Sequence, residues 1–256
     1  MKIYEVMAEL ENYAPTGLAE DFDNVGLLVG DKNRDVTSVL LTLDVDMGVA
    51  REAKAKGANL IVSHHPMMLD GIKKITTDTP LGRCLNYLIE NKIAVYAAHT
   101  NLDSTQGGLN DILAGLIGLQ NSMPLTGDMA DSGLGRVGNF EAPTTIAELA
   151  QKLKSLLNLP YIRFTGSGND EVICAAVCSG SGAGLIGEVI RAGAQVYITG
   201  DMKYHNVRDA ADEGVNIIEV GHYDSEIIAP QLFRQILEPA VKTHIAETNK
   251  NIFNII

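Results

Sequence analysis

Short runs of β-branched and other apolar residues alternate along this chain with longer stretches in which apolar positions recur every three or four residues. The first pattern predicts buried strands and the second amphipathic helices. Strands are expected at 38–43, 59–62, 93–97, 172–177, 195–198 and 216–220. Helices are expected at 47–56, 80–91, 145–157, 183–192 and near 207–213. Strand and helix taking turns predicts an α/β fold with parallel or mixed sheets.

The segment 120–139 breaks the pattern. It is rich in Gly, Ser, Asp and Pro and carries Gly127, Gly133, Gly135 and Gly138, so it is expected to join two lobes. The first lobe is expected over 1–125 together with about 222–256, and the second over about 126–221. An internal echo supports two related lobes. When 38–65 is laid over 174–201 without a gap, Gly48 meets Gly184, Glu52 meets Glu188, and Gly57-Ala58 meets Gly193-Ala194. That interval is too long for a solenoid repeat.

Composition narrows the class. With 256 residues and 46% hydrophobic content, the chain has enough apolar sequence for folded cores. A net charge of -12 opposes phosphate backbones, and 5% aromatics with no Trp offer little stacking surface, so no nucleic-acid partner is expected. The three cysteines, Cys84, Cys174 and Cys178, imply no disulfide framework and read as structural thiols in a reducing compartment. The first ten residues do not read as a signal peptide, and no apolar run is long enough to span a membrane, so a cytoplasmic location is expected.

Candidate chemistry gathers at strand ends. Leu60-Ile61-Val62-Ser63 runs into His64-His65-Pro66, and Pro66 pushes His65 toward extended geometry. Adjacent residues on an extended chain point to opposite sides, which suits two different ions or one ligand with one supporting ring. Val95-Tyr96-Ala97-Ala98 runs into His99, with Asp103 four residues on. Ile217-Ile218-Glu219-Val220-Gly221 runs into His222, with Glu226 four residues on. A helix from His222 would put that pair on one face, although Pro230 limits how early a helix can begin. Sites in α/β proteins form beyond the carboxyl ends of strands, and these motifs use four of the six histidines. Imidazole with carboxylate suits Zn, Fe, Mn or Ni better than Ca or Mg. Five or six such donors exceed what one tetrahedral zinc with an open position needs, so the count favours two metals.

Two features receive blander readings. His244, among Lys242, Thr243 and Glu247, reads as solvated surface with no role. Gly180-Ser181-Gly182-Ala183-Gly184 reads either as an anion cradle on backbone N–H groups or as a plain strand-to-helix turn.

Taken in order, Phe22-Asp23-Asn24-Val25-Gly26-Leu27, Ser63-His64-His65-Pro66, His99-Thr100-Asn101-Leu102-Asp103, Thr199-Gly200-Asp201 with Lys203-Tyr204-His205, and Gly221-His222-Tyr223-Asp224-Ser225-Glu226 resemble one family. It is the Ngg-interacting-factor-like dinuclear metal-centre family, whose members are called GTP cyclohydrolase I type 2 homologues. The resemblance runs from near the N-terminus to about Glu226. It implies two α/β lobes with a metal site between them, two divalent ions per chain, and a ring-shaped homohexamer. It implies metal ligands at His64, His65, Asp103, His222 and Glu226, with His99 and His205 lining or supporting the site. Phe22 stands where relatives often carry Trp, and the chain is too short for the long insertion some relatives hold between the lobes.

The expectation is a metal-dependent hydrolase acting on a small nucleotide-like substrate, with GTP ring opening and formate release as the candidate reaction. His99 and His205 are expected either to shuttle protons or to hydrogen-bond a ligand. The alternatives are a metal-dependent phosphoesterase and a non-enzymatic metal-handling or regulatory scaffold.

Overall fold

The computed structural model describes residues 1–127 and 131–255; residues 128–130 of the expected junction lie outside the described residues. In chain order the first elements are α1 (Ile3–Tyr13), β1 (Gly26–Val29), β2 (Val39–Thr42), α2 (Met47–Lys56), β3 (Leu60–Ser63), α3 (Pro80–Glu90), β4 (Ala94–Ala97) and α4 (Thr100–Ser104). Then come α5 (Leu109–Ile117), β5 (Gln120–Pro124), β6 (Arg136–Thr145), α6 (Ile146–Leu156), β7 (Arg163–Phe164) and β8 (Glu171–Ser181). The chain continues through α7 (Ile186–Arg191), β9 (Val196–Gly200), α8 (Tyr204–Asp212), β10 (Asn216–Glu219), α9 (His222–Glu226), α10 (Ala229–Leu237) and β11 (Thr243–Ile245).

These elements form two compact units. Unit 1 holds Met1–Leu102 and Ile228–Ile252, and unit 2 holds Asp103–Ile227 with the chain end from Phe253. Unit 1 carries a five-stranded sheet in the order β1-β4-β3-β2-β11. Its three pairings from β4 to β11 are parallel and β1 lies antiparallel on β4. β2, β3 and β4 are buried along their whole length, which is why they read as continuous apolar runs. The α2 crossover starts where the Asp46 side chain accepts the Val49 N–H at 2.8 Å, and it stops at Gly57, whose φ of 71° is left-handed.

Unit 2 carries a six-stranded sheet in the order β5-β6-β8-β9-β10-β7, parallel at its β8-β9-β10 centre and antiparallel at its edges. Alternate residues of β8 face different cores. Val172, Ala175 and Val177 pack with α5 and α6, whereas Ala176 and Cys178 pack with Val189 of α7 and Ala210 of α8. α6 opens with a capping box in which Thr145 and Glu148 satisfy each other's backbone N–H groups.

The division differs from the expected 1–125 and 222–256. α5 buries Leu113, Ala114 and Ile117 against the β8 face, and two such large side chains are worth about 1.5–3 kcal/mol each. That burial carries 103–125 into unit 2. At the other end α9 packs on β8 and β9, so unit 2 continues to Ile227. No helix among the described residues is long and apolar enough to cross a membrane.

Candidate metal centre

Two parallel strands of unit 1 deliver a cluster of three imidazoles. β3 ends at Ser63, His64 and His65 follow in a bend, and β4 leads through Ala98 to His99. One ring nitrogen from each of His64, His65 and His99 lies within 4.8 Å of the others. The ring centroids are 5.2 Å apart for His64 and His65, 5.1 Å for His64 and His99, and 5.5 Å for His65 and His99. His64 and His65 therefore do not point to opposite sides, as strand alternation predicted. The strand has already ended at Ser63, whose hydroxyl donates to the His65 carbonyl at 2.9 Å and shapes the bend.

Each ring is held at Nδ1. His64 is fully buried and its Nδ1 lies 2.9 Å from the Ala98 carbonyl oxygen. His65 Nδ1 lies 2.8 Å from Asp44 Oδ1, and His99 Nδ1 lies 2.9 Å from Asp23 Oδ1. A donor Nδ1–H leaves Nε2 with the lone pair that a metal requires. Asp23 does more than orient His99. Its carboxylate also accepts from the Thr100 N–H at 3.0 Å, from the Thr100 hydroxyl, and from the Asn24 N–H at 2.7 Å. Burial alone would raise its pKa, but the hydrogen bonds from His99 and Thr100 outweigh that and hold it well below the usual carboxylate value.

Unit 2 brings its own donors together. His222 opens α9, and its Nε2 lies 3.0 Å from Glu226 Oε2. The helical spacing is thus present, and Pro230 is no obstacle because it sits in the first turn of the next helix, where a missing N–H costs nothing. His222 Nδ1 lies 2.7 Å from Asp201 Oδ2, repeating the pattern of unit 1. Asp103 is buried and accepts from the Ser179 hydroxyl at 3.2 Å, while Asn110 donates to its carbonyl. Cys178 reports the charge gathered here: burial first, and then the field of Asp103 and more weakly Glu226, pushes its thiol up to about 12.

The backbone makes room for Glu226. Gly180 has φ of 66°, and a Cβ there would stand 2.1 Å from Glu226 Oε1 and 3.4 Å from His222 Nε2. The Gly180 N–H donates to Ser225 Oγ at 2.9 Å and the Gly182 N–H to Thr199 Oγ1 at 3.0 Å. These amides are committed inside the protein, so of the two readings of 180–184 the strand-to-helix turn is the one the hydrogen bonds support.

Two other histidines lie apart from these clusters. His205 is exposed at the start of α8, ring against ring with Tyr204 at 5.4 Å, and belongs to no donor group among the described residues. His244 is not solvated surface. It sits on β11, half-buried beside β2, and its Nε2 is buried without a hydrogen-bond partner. Burial and the nearby Lys242, Lys56 and Arg234 hold its pKa below the ordinary value.

His64, His65 and His99 in unit 1, and Asp103, His222 and Glu226 in unit 2, supply the imidazole and carboxylate mixture that suits a divalent transition metal. Sequence pattern does not point to Asp44 or Ser179, and it gives Asp201, in the Thr199-Gly200-Asp201 motif, and Gly180, in the glycine-rich turn, no part in supporting the metal donors. Asp23 was quoted in a motif but given no role.

The model of the family described as Duf34/NIF3 (NGG1p interacting factor 3) matches residues 1–252. A protein of Clostridium perfringens called "GTP cyclohydrolase 1 type 2 homolog" is 38% identical over 262 residues, covering 100% of both chains. The crystal structure of a Bacillus cereus protein related to NIF3 superposes with a TM-score of 0.92 at 26% identity, covering 100% of this chain and 99% of the other. Reduced HcgD from Methanocaldococcus jannaschii superposes with a TM-score of 0.85 at 31% identity, covering 96% of this chain and 98% of the other. On the strength of the family match and the full-length relative, the chain belongs to the Duf34/NIF3 family.

Proposed function

We propose that this chain is a metal-dependent hydrolase that binds two divalent transition-metal ions through His64, His65, Asp103, His222 and Glu226. The observation that carries the reading is the uniform state of the rings. Every histidine of the two donor sets has Nδ1 against an oxygen atom, which favours the Nδ1–H tautomer and assigns Nε2 to the metal in each, and for His222 that Nε2 lies beside Glu226, its proposed fellow ligand. Chance placement of histidines would mix the two ring nitrogens. Zn, Fe, Mn and Ni all fit such a set, and cellular supply decides among them as much as affinity does.

When bound, divalent ions supply Lewis acidity that makes a water nucleophilic near neutral pH. The chain's residues supply the rest. His64 and Asp103 are buried and hold their donor atoms away from solvent. His99, held by Asp23, supports the His64–His65 pair. His205 is exposed, and we assign it a substrate contact or a proton relay.

The relatives named GTP cyclohydrolase 1 type 2 homolog make a guanine nucleotide the first substrate to test. In that reading one water opens the imidazole ring of the base at C8 and a second releases formate. The ring-shaped homohexamer is part of the same proposal, and light scattering on the purified chain checks it. The deciding experiment assays metal-loaded protein against GTP and a panel of phosphoesters, following formate and phosphate. Turnover that is lost in metal-stripped protein and in His65→Ala supports the reading. Full metal occupancy with no turnover of any substrate contradicts it and leaves a metal-handling role.

A further inference from the structure

Two aspartate–histidine contacts in this protein are copies of one another. In unit 1, β2 ends, Asp44 follows, α2 crosses over and β3 leads to His65. In unit 2, β9 ends, Asp201 follows, α8 crosses over and β10 leads to His222. Each strand pair is parallel and adjacent in its sheet. The carboxylate-to-Nδ1 distances are 2.8 Å and 2.7 Å, and the paired residues are 21 positions apart in both.

The copies align without a gap. Laying 39–65 over 196–222 puts strand on strand and helix on helix. Ala53 meets Ala210, both fully buried, and Gly57 meets Gly214, with φ of 71° and 83°. Asp44 meets Asp201, and His65 meets His222. The other alignment, 38–65 over 174–201, sets His65 on Asp201 and so pairs unlike chemistry at its end.

Stability does not account for the repetition. The two carboxylate side chains are 51% and 58% exposed, and even a charged contact this exposed contributes little. Asp201 moreover has φ of 52°, a left-handed conformation that aspartate tolerates better than most residues but still at some cost. His64, which is fully buried, is held by a backbone carbonyl instead. The two rings with the greater freedom, 22% and 33% exposed, are the ones given these strand-end carboxylates.

We propose that Asp44 and Asp201 are matched positioning residues. Each accepts the Nδ1–H of its histidine, fixing the tautomer and ring plane in which Nε2 is offered to a divalent cation. A carboxylate behind the ring also makes Nε2 a more basic donor. The proposal rests on the reading of His65 and His222 as ligands given above. It assigns the aspartates an effect on metal affinity and none of consequence on folding.

The test uses Asp44→Ala and Asp201→Gly, with Asp44→Asn and Asp201→Asn as conservative partners. Glycine and asparagine both accept the left-handed backbone at 201, so the fold is kept. Zn²⁺ affinity is measured by competition with a chromophoric chelator. Ring-nitrogen NMR of the metal-free protein at mildly alkaline pH reads the tautomers, and thermal unfolding of the same samples reads the fold. In wild type both rings are expected as the Nδ1–H tautomer. Asp44→Ala and Asp201→Gly should lose that preference and bind Zn²⁺ about 10–100-fold more weakly, with the metal-free melting temperature unchanged. The asparagine variants keep an acceptor oxygen and should recover part of the loss. Unchanged tautomers and unchanged affinity overturn the proposal, as does an affinity loss that merely follows a drop in melting temperature. If wild type binds no zinc, the ligand reading fails, and the tautomers alone decide whether the aspartates orient the rings.

Discussion

Replacing Gly180 by Ala probes the centre at its tightest point. The new Cβ would lie 2.1 Å from Glu226 Oε1, whereas ordinary contact needs about 3.5 Å, so the carboxylate must retreat by about 1.4 Å. Glu226 is the far end of a side chain, so the retreat itself is cheap in strain. Its cost falls on the donor geometry, because Glu226 Oε2 is also the atom 3.0 Å from His222 Nε2. The backbone adds a second cost: φ of 66° suits glycine, and alanine there loses about 1–2 kcal/mol. Gly180→Ala should therefore stay folded, with denaturant unfolding showing that modest loss, while metal affinity falls by tenfold or more. Gly184→Ala is the control, since nothing lies within 4 Å of its Cβ. Chelator competition on both variants checks this. Wild-type metal affinity in folded Gly180→Ala would refute the argument that this glycine exists to admit Glu226.

Other consequences concern the scaffold. Arg136 is 1% exposed and donates to Asp111 as well as to the carbonyls of Thr105, Gly133 and Gly135, so Arg136→Met should cost on the order of 3 kcal/mol by urea unfolding, and Arg136→Met with Asp111→Leu should recover part of it. Burial alone would raise the pKa of Glu52, but hydrogen bonds from Thr248, Glu247 and Lys56 bring it down to about 2. A lowered carboxylate stabilises the fold above its unfolded pKa and loses that contribution as pH falls toward the folded value, so Glu52→Gln should flatten the stability profile between about pH 5 and pH 2 and speed hydrogen exchange at 247–248. His244 acts in the same direction in a higher window: its lowered pKa means the unfolded chain takes up the proton first, so wild type should lose stability as pH drops below about 6.5, and His244→Leu should lose less while keeping its metal content.

The parts of this fold that were legible are those written in local pattern. β2, β3, β4 and β9 are buried along their length and read as apolar runs, and the ligand candidates stand just beyond β3, β4 and β10. β6 was missed because Arg136–Thr145 is half exposed and interrupted by Gly138 and Pro143. The unit boundary was misplaced because α5 belongs where its apolar face packs, and packing across distant segments leaves no mark in the loop composition that suggested 120–139. Asp44 and Asp201 were not singled out for a related reason. A carboxylate 21 positions before its histidine meets it only once a parallel strand pair has formed, so neighbouring residues give no hint of the contact. Contact geometry also corrected the direction of His64 and His65, since the bend after Ser63 ends the alternation on which that expectation stood.

The central claim is that these side chains hold metal, and elemental analysis of gently purified protein tests it most directly. The account predicts about two transition-metal ions per chain, and a lower content in Asp103→Ala and Glu226→Ala proteins that remain folded by circular dichroism. A wild-type content near zero that zinc, manganese and iron all fail to restore would contradict it.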